Sequence, residues 1–187
     1  MLALLADGQR IPRAAAGQRV EIVVAETPFY AESGGQVGDR GIIRTERGDT
    51  IEVVDTWHPT PEVSVHRGKI VSGRIATGDT VELVVDGEHR RRAMLNHSAT
   101  HILHHALQQN LGSHAQQQGS KVDGDWLRFD FTNLASIPAE QLAEIEAAAV
   151  ACIEAAAPIT ATTVPLAEAR RAGAMMLFGE KYPDPVR

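Results

Sequence analysis

His97, His101, His104 and His105 crowd into one short stretch of the chain. Imidazole is both a common metal ligand and an acid–base group near neutral pH. His97 and His101 stand at i and i+4. On a helix turning ~100° per residue, that spacing stacks the two rings one turn apart. Two stacked imidazoles can chelate one metal ion, and zinc suits neutral imidazole without needing a redox partner. The same wheel gathers His97, Thr100, His101, His104 and Gln108 on one face, with His105 at its edge. Leu95, Ala99, Ile102, Leu103 and Ala106 form the opposite, apolar face. The alternative is a solvated, histidine-rich face with no metal. Two histidines do not complete a tetrahedral site, so further ligands are needed. Cys152, His114, His66, Asp130 and Glu180 are the other donors to consider. Cys152 lies in an alanine-rich run, where a small buried hydrophobe is the expected role.

Two further segments bear on chemistry. Thr27–Gly41, TPFYAESGGQVGDRG, is long and glycine-rich. Long connections in compact domains usually carry function or motion. Its Ser33, Gly34, Gly35 and Gln36 can bring backbone amides close to a ligand, because glycine permits close approach; a flexible turn is the alternative. His89-Arg90-Arg91-Arg92 is the one basic cluster. Arg90, Arg91 and Arg92 suit phosphate contacts, or form a solvated junction. Gly34-Gly35-Gln36 spells GGQ, which is too short to assign a release factor. The run from Gly112 to Lys121 lacks the spacing and the residue order of a phosphate-binding P-loop.

Composition bounds the answer. The chain is 43% hydrophobic and 22% charged, which excludes a disordered tail, collagen or a coiled coil. No apolar run approaches the ~20 residues needed to cross a bilayer, and the first residues do not form a secretory leader. The single cysteine excludes a disulfide scaffold and suits a reducing, cytoplasmic setting. The net charge of −6 argues against a protein that coats phosphates wholesale, so nucleic-acid contact should be local.

The elements that must position these residues change character near residue 90. Val20–Ala25, Gly41–Thr45, Thr50–Thr56, Glu62–Val71 and Thr80–Asp86 read as strands, with Glu46-Arg47-Gly48-Asp49 as a hairpin turn. Short strands at near-regular spacing predict a small barrel-like subdomain over 1–89. Beyond it, Leu95–Leu111 reads as a helix with Asn96 as its N-cap. Trp126–Phe131 alternates as a strand. Pro138–Ala156 and Pro165–Ala172 read as helices, and Ile159–Val164 and Ala174–Phe178 as strands. The fold class is α+β: a β-barrel-like N-terminal subdomain, then an α/β sandwich over 90–187 carrying the histidine helix.

Several blocks together resemble a known family. Glu26–Gly41, ETPFYAESGGQVGDRG, is similar to the glycine-rich signature of the alanyl-tRNA synthetase editing domain, in the AlaX-like superfamily. Leu95–Leu111, LNHSATHILHHALQQNL, resembles its first zinc-ligand helix. His114–Ser120, Leu127–Phe131 and Gly173–Tyr182 resemble later blocks, in family order. The resemblance implies deacylation of Ser-tRNA(Ala) and Gly-tRNA(Ala). An alanine pocket cannot strongly exclude glycine, and serine adds only a hydroxyl, so a second sieve is needed. It implies zinc on His97 and His101, the acceptor end of tRNA(Ala) as substrate, and the rest of alanyl-tRNA synthetase as partner. It implies that Thr100 discriminates the serine hydroxyl and that Gln117 orients water or the terminal ribose. It also implies a later C-x-x-x-H, which is not in the sequence. The expectation is therefore a truncated domain with a half-built zinc site. The competing expectation is a non-catalytic fragment that folds and binds RNA.

Overall fold

The computed structural model describes residues 1–174 and 181–187. Most of the apolar strand positions gather into one antiparallel sheet. Its strands are β1 (Ala3–Ala6), β2 (Gln9–Arg10), β4 (Arg19–Val23), β5 (Gly41–Thr45), β6 (Thr50–Thr60), β7 (Val63–Ser72) and β9 (Val81–Val85). Their order is β2-β1-β4-β7-β6-β5-β9. A separate ribbon pairs β3 (Arg13–Ala15) with β8 (Arg74–Ala76). Alternation decides which side faces inward: in β4, Val20 and Ile22 are buried while Glu21 is not. Ala14 and Ile75 of the ribbon join Leu4, Ile22, Ile51 and Ile70 in one hydrophobic cluster.

The expected barrel is corrected by this topology. β2 and β9 end the sheet on opposite sides, so it is open. The ribbon, not closure, covers the inner face. On the other face Val54, Val71 and Val84 are exposed. Within residues 1–89 the strands that the pattern missed, β1, β2, β3 and β8, are too short to show a period. β1 is held by β4, and β3 by β8 far along the chain, while β2 turns back on β1 across Asp7-Gly8.

The chain divides into two compact units. One comprises Met1–His101 with Gln118–Asp130, and the other Ile102–Gln117 with Phe131–Arg187. The long helix α1 (Gly87–Leu111) runs through the division. It begins well before the expected Leu95. Asp86 is its cap: Oδ1 accepts the N–H groups of Glu88 (3.1 Å) and His89 (3.0 Å), satisfying donors that have no partner inside the helix. Asn96 is therefore an interior residue, and its Nδ2 donates to Asp123 O at 2.8 Å. The expected faces of α1 are also revised. Ala93, Thr100, His104 and Leu107 are buried, while Met94 and Leu95 are exposed. β10 (Gln117–Val122) pairs with β11 (Leu127–Phe131), and all of this hairpin but Gln117 and Phe131 belongs to the first unit. In the second, α2 (Ala139–Glu154) buries Ile145, and α3 (Leu166–Arg171) buries Ala169. Ile159–Val164 is not a strand. Only Val164 bridges, to Val186, because β-branched propensity is realised only where a partner strand runs alongside. Most of the expected strand Ala174–Phe178 lies outside the described residues. Cys152 is exposed, not buried.

His66 of β7 is buried inside the first unit. Its Nδ1 donates to Ile22 O (3.1 Å), Thr27 Oγ1 donates to its Nε2 (2.8 Å), and Phe29 packs edge-on at 5.1 Å. Burial holds its pKa below the ordinary value of 6.5, outweighing the bond to Ile22 O. The unfolded chain therefore binds the proton more readily. The stability from keeping His66 neutral is complete above pH 6.5 and is lost as pH falls toward the lower folded value. The thermal midpoint should fall between about pH 7.5 and about pH 5.5, and His66→Asn should flatten that dependence. Differential scanning fluorimetry at several pH values checks this.

Candidate functional site

The glycine-rich segment acquires its shape from a two-residue turn. Ser33 and Gln36 exchange backbone hydrogen bonds (3.2 and 3.0 Å) across Gly34 and Gly35. Those two glycines have φ of 57° and 80°. Positive φ at both central positions is the requirement of a type I′ turn. A Cβ on Gly35 would also lie 2.6 Å from Ser120 Oγ. Behind the turn the chain docks on β10. Val122 N donates to Gly35 O (2.8 Å), and Val37 N donates to Val122 O (2.9 Å). Gly38 runs so close to Thr56 that any Cβ there would meet its carbonyl. Lys121 Nζ donates to Glu32 Oε1 at 2.6 Å on the exposed side.

The loop is then fastened to α1. Asp39 is 2% exposed, and its carboxylate accepts Tyr30 N at 2.6 Å and Arg90 Nε at 3.0 Å, with a further bond from Arg90 Nη2. Arg90 also donates to Pro28 O at 2.5 Å. Three residues before Asp39, Gln36 is buried and its Oε1 accepts His97 Nδ1 at 2.8 Å. Arg90 and His97 are seven apart, nearly two full turns, so both face the loop.

His97 and His101 stack, with ring centroids 5.6 Å apart and planes 22° from parallel. His97 is half-buried and His101 exposed. Burial first, and the charge of His101 second, hold the His97 pKa below its ordinary value. His97 is thus neutral near pH 7, the state a metal requires. The Nδ1–H bond to Gln36 leaves Nε2 as the nitrogen with a lone pair, an arrangement common among ligating histidines, whose other ring nitrogen is held by a neighbour. The two rings fit the first half of a zinc site. Among the described residues no group of three His, Cys, Asp or Glu gathers to hold a metal.

Thr100 is 4% exposed and its hydroxyl donates to Asn96 O at 2.9 Å. His104 is also buried, with Nε2 donating to Ala115 O at 3.1 Å. Gln117 opens β10, half-buried, within the second compact unit. Ser33 and Gly34 are exposed. Arg91 and Arg92 are exposed, and Arg92 Nη1 lies 3.4 Å from Asp125. Arg90 thus differs from its neighbours in being tied into the fold.

Sequence reading missed Asp39, the Gln36 side chain and Asp123. Asp123 joins β10 to α1: its Oδ1 meets His89 Nε2 at 3.0 Å and its Oδ2 lies 3.5 Å from Arg40. Burial pushes its pKa up, but the Gly124 N–H, His89 and Arg40 outweigh that and hold it low. An acid set directly between glycine and arginine, in Gly38-Asp39-Arg40, was the available signal for Asp39.

Comparison with known proteins gives this geometry its context. The family model described as tRNA synthetases class II (A) matches residues 1–89. Alanine–tRNA ligase of Rhizorhabdus wittichii is 49% identical over 187 residues, covering 100% of this chain and 21% of that protein. Those of Methylibium petroleiphilum and Anaeromyxobacter dehalogenans are each 48% identical over 185 residues, covering 99% of this chain and 21% and 20% of theirs. The chain is homologous to part of alanine–tRNA ligase. It spans about a fifth of the length of those relatives.

The loop fastening yields a prediction. Removing one member of a buried pair costs about 3–5 kcal/mol. The Arg90 side chain is 32% exposed, so water softens the loss to about 2–3 kcal/mol for Arg90→Ala. Arg91→Ala should change stability by less than about 0.5 kcal/mol. Urea unfolding of both variants measures the contrast.

Proposed function

We propose that this chain is the hydrolytic editing region of an alanine–tRNA ligase, removing serine or glycine wrongly attached to tRNA(Ala). The observation that carries the reading is the stacked His97–His101 pair, with the glycine-rich loop fastened beside it through Gln36. The relatives supply the context, since they are alanine–tRNA ligases.

In this reading His97 and His101 hold zinc, which when bound polarises the ester carbonyl or anchors the substrate amino group. The reaction is addition of water to the ester carbonyl. The carbon–oxygen bond to the terminal ribose then breaks, and the proton goes to the departing ribose oxygen. Gln117 orients the water or the ribose. Thr100 already gives its proton to Asn96 O, so toward substrate it is an acceptor. That suits the O–H of serine, a donor that alanine lacks. A site hydrogen bond of this kind is a strong form of selection, because the analogue without it leaves a polar group unpaired. The turn at Ser33–Gln36 faces the 3′ end of the tRNA, with Gly34 offering the exposed part of the loop. Arg91 and Arg92, being exposed, are the acceptor-stem phosphate contacts; Arg90 is committed to Asp39.

A second reading has its own observation. With no third ligand gathered among the described residues, the chain binds tRNA without hydrolysing it. Elemental analysis and Ser-tRNA(Ala) hydrolysis, before and after chelation, separate the two. Editing predicts bound zinc, and loss of more than about a hundredfold in rate for His97→Ala or His101→Ala, since a polarising metal supplies several kcal/mol. Hydrolysis indifferent to chelator and to both substitutions sinks the zinc mechanism. Absence of both zinc and hydrolysis favours the binding-only reading.

A further inference from the structure

The side chain of Gln36 is not used by the reaction as proposed, yet it is among the most constrained polar groups in the first unit. It is 7% exposed. Its backbone is held on one side by the turn to Ser33 and on the other by a parallel bridge to Val122. Three residues on, Asp39 is locked to Arg90. A long, flexible amide side chain usually costs entropy to order. In this loop the backbone delivers it, and its Oε1 meets His97 Nδ1 at 2.8 Å.

That contact has a chemical consequence for the ring. A neutral imidazole carries one proton on either nitrogen, and the hydrogen bond made by one nitrogen decides which is free for a metal. An amide oxygen can only accept, so it selects the ring form with the proton on Nδ1. Free imidazole side chains favour the other form, so the partner does measurable work on the equilibrium. The choice also fixes the ring plane, and the observed near-parallel stacking on His101 is the plane so fixed.

We propose that Gln36 is a positioning residue, whose side-chain oxygen holds His97 in the Nδ1–H tautomer and thereby presents Nε2 to the metal. This rests on the reading of His97 and His101 as zinc ligands. It gives the glycine-rich loop a role in building the metal site, besides any contact with the tRNA end. Gln36 touches neither substrate nor metal; it acts through His97.

Two measurements on the same protein test it. Long-range 15N–1H correlation spectra of the metal-free chain report the tautomer directly. Zinc competition against a chromophoric chelator reports affinity. The wild-type chain should show Nδ1–H at His97. Gln36→Ala should shift the ring toward Nε2–H and weaken zinc binding about 10-fold or more, the usual cost of removing such a partner. Gln36→Met, of similar volume but with no acceptor, should do the same and guards against a cavity effect. Gln36→Glu keeps an acceptor and should restore both the tautomer and the binding. Nε2–H in the wild-type chain, or an unchanged tautomer in a folded Gln36→Ala or Gln36→Met variant, overturns the proposal. An intact Nδ1–H tautomer in a chain that binds no zinc sinks the metal reading itself, and with it the presenting role. Zinc bound equally by wild type and variants leaves that reading standing and overturns the role of Gln36 alone.

Discussion

The carboxylate of Asp39 is enclosed by its own loop and by one helix, and the rest of the site depends on the bonds gathered at its Oδ2. It takes the Tyr30 N–H and the Arg90 guanidinium, and Arg90 continues to Pro28 O. A buried carboxylate with a partner missing is costly, whereas one with all its hydrogen bonds made is tolerated. That asymmetry makes the arrangement close to all-or-none. The connection from Thr27 to Gly41 is long enough to sample many shapes, and ordering it costs entropy. Fastening it to α1 near both of its ends, at Pro28 and Asp39, removes most of that freedom. The fastening sets the geometry of the loop ahead of Asp39: the turn at Gly34-Gly35, the docking on Val122, and the approach of Gln36 to His97 two helical turns beyond Arg90.

The helix is unusual in what it buries. Its inner stripe contains His89, Thr100 and His104 along with Ala93 and Leu107. Each polar member has a partner: His89 meets Asp123, Thr100 gives its proton to Asn96 O, and His104 gives its own to Ala115 O. Buried polar groups are tolerable when satisfied and expensive otherwise. The stripe therefore constrains more than an apolar one would, since each bond demands a particular neighbour in a particular place. His97 and His101 lie on the side of this stripe, one half-buried and held by Gln36, the other exposed and stacked on it.

Much of this was legible in the chain. The strands with β-branched runs, from Arg19–Val23 to Val81–Val85, obey the alternation of their side chains. The helix carrying the histidines and the i, i+4 stacking of His97 on His101 came from period alone. Where reading failed, it failed for local reasons. Leu95 looked like the centre of an apolar face, yet it is exposed, because the satisfied polar stripe on the other side is what the fold buries. Asn96 looked like a cap until Asp86, more than two turns upstream, proved to be the residue that holds the first N–H groups. Ile159–Val164 has strand composition and only one bridging residue.

By itself, then, the sequence determined which residues could do chemistry and the elements that carry them, because those depend on side-chain type and on a period of a few residues. It spelled out the glycine-rich turn, the histidine pair and the basic run. Only the tertiary structure decided their partners. Gln36 and His97 are 61 positions apart, and Asp39 and Arg90 are 51 apart. No local pattern encodes such pairings, since they arise from how the open sheet and the β10–β11 hairpin bring the loop onto one face of one helix. The same three arginines read as a single cluster became one half-buried anchor and two exposed cations for the same reason: burial is a property of neighbours, and neighbours distant in sequence are set by the fold.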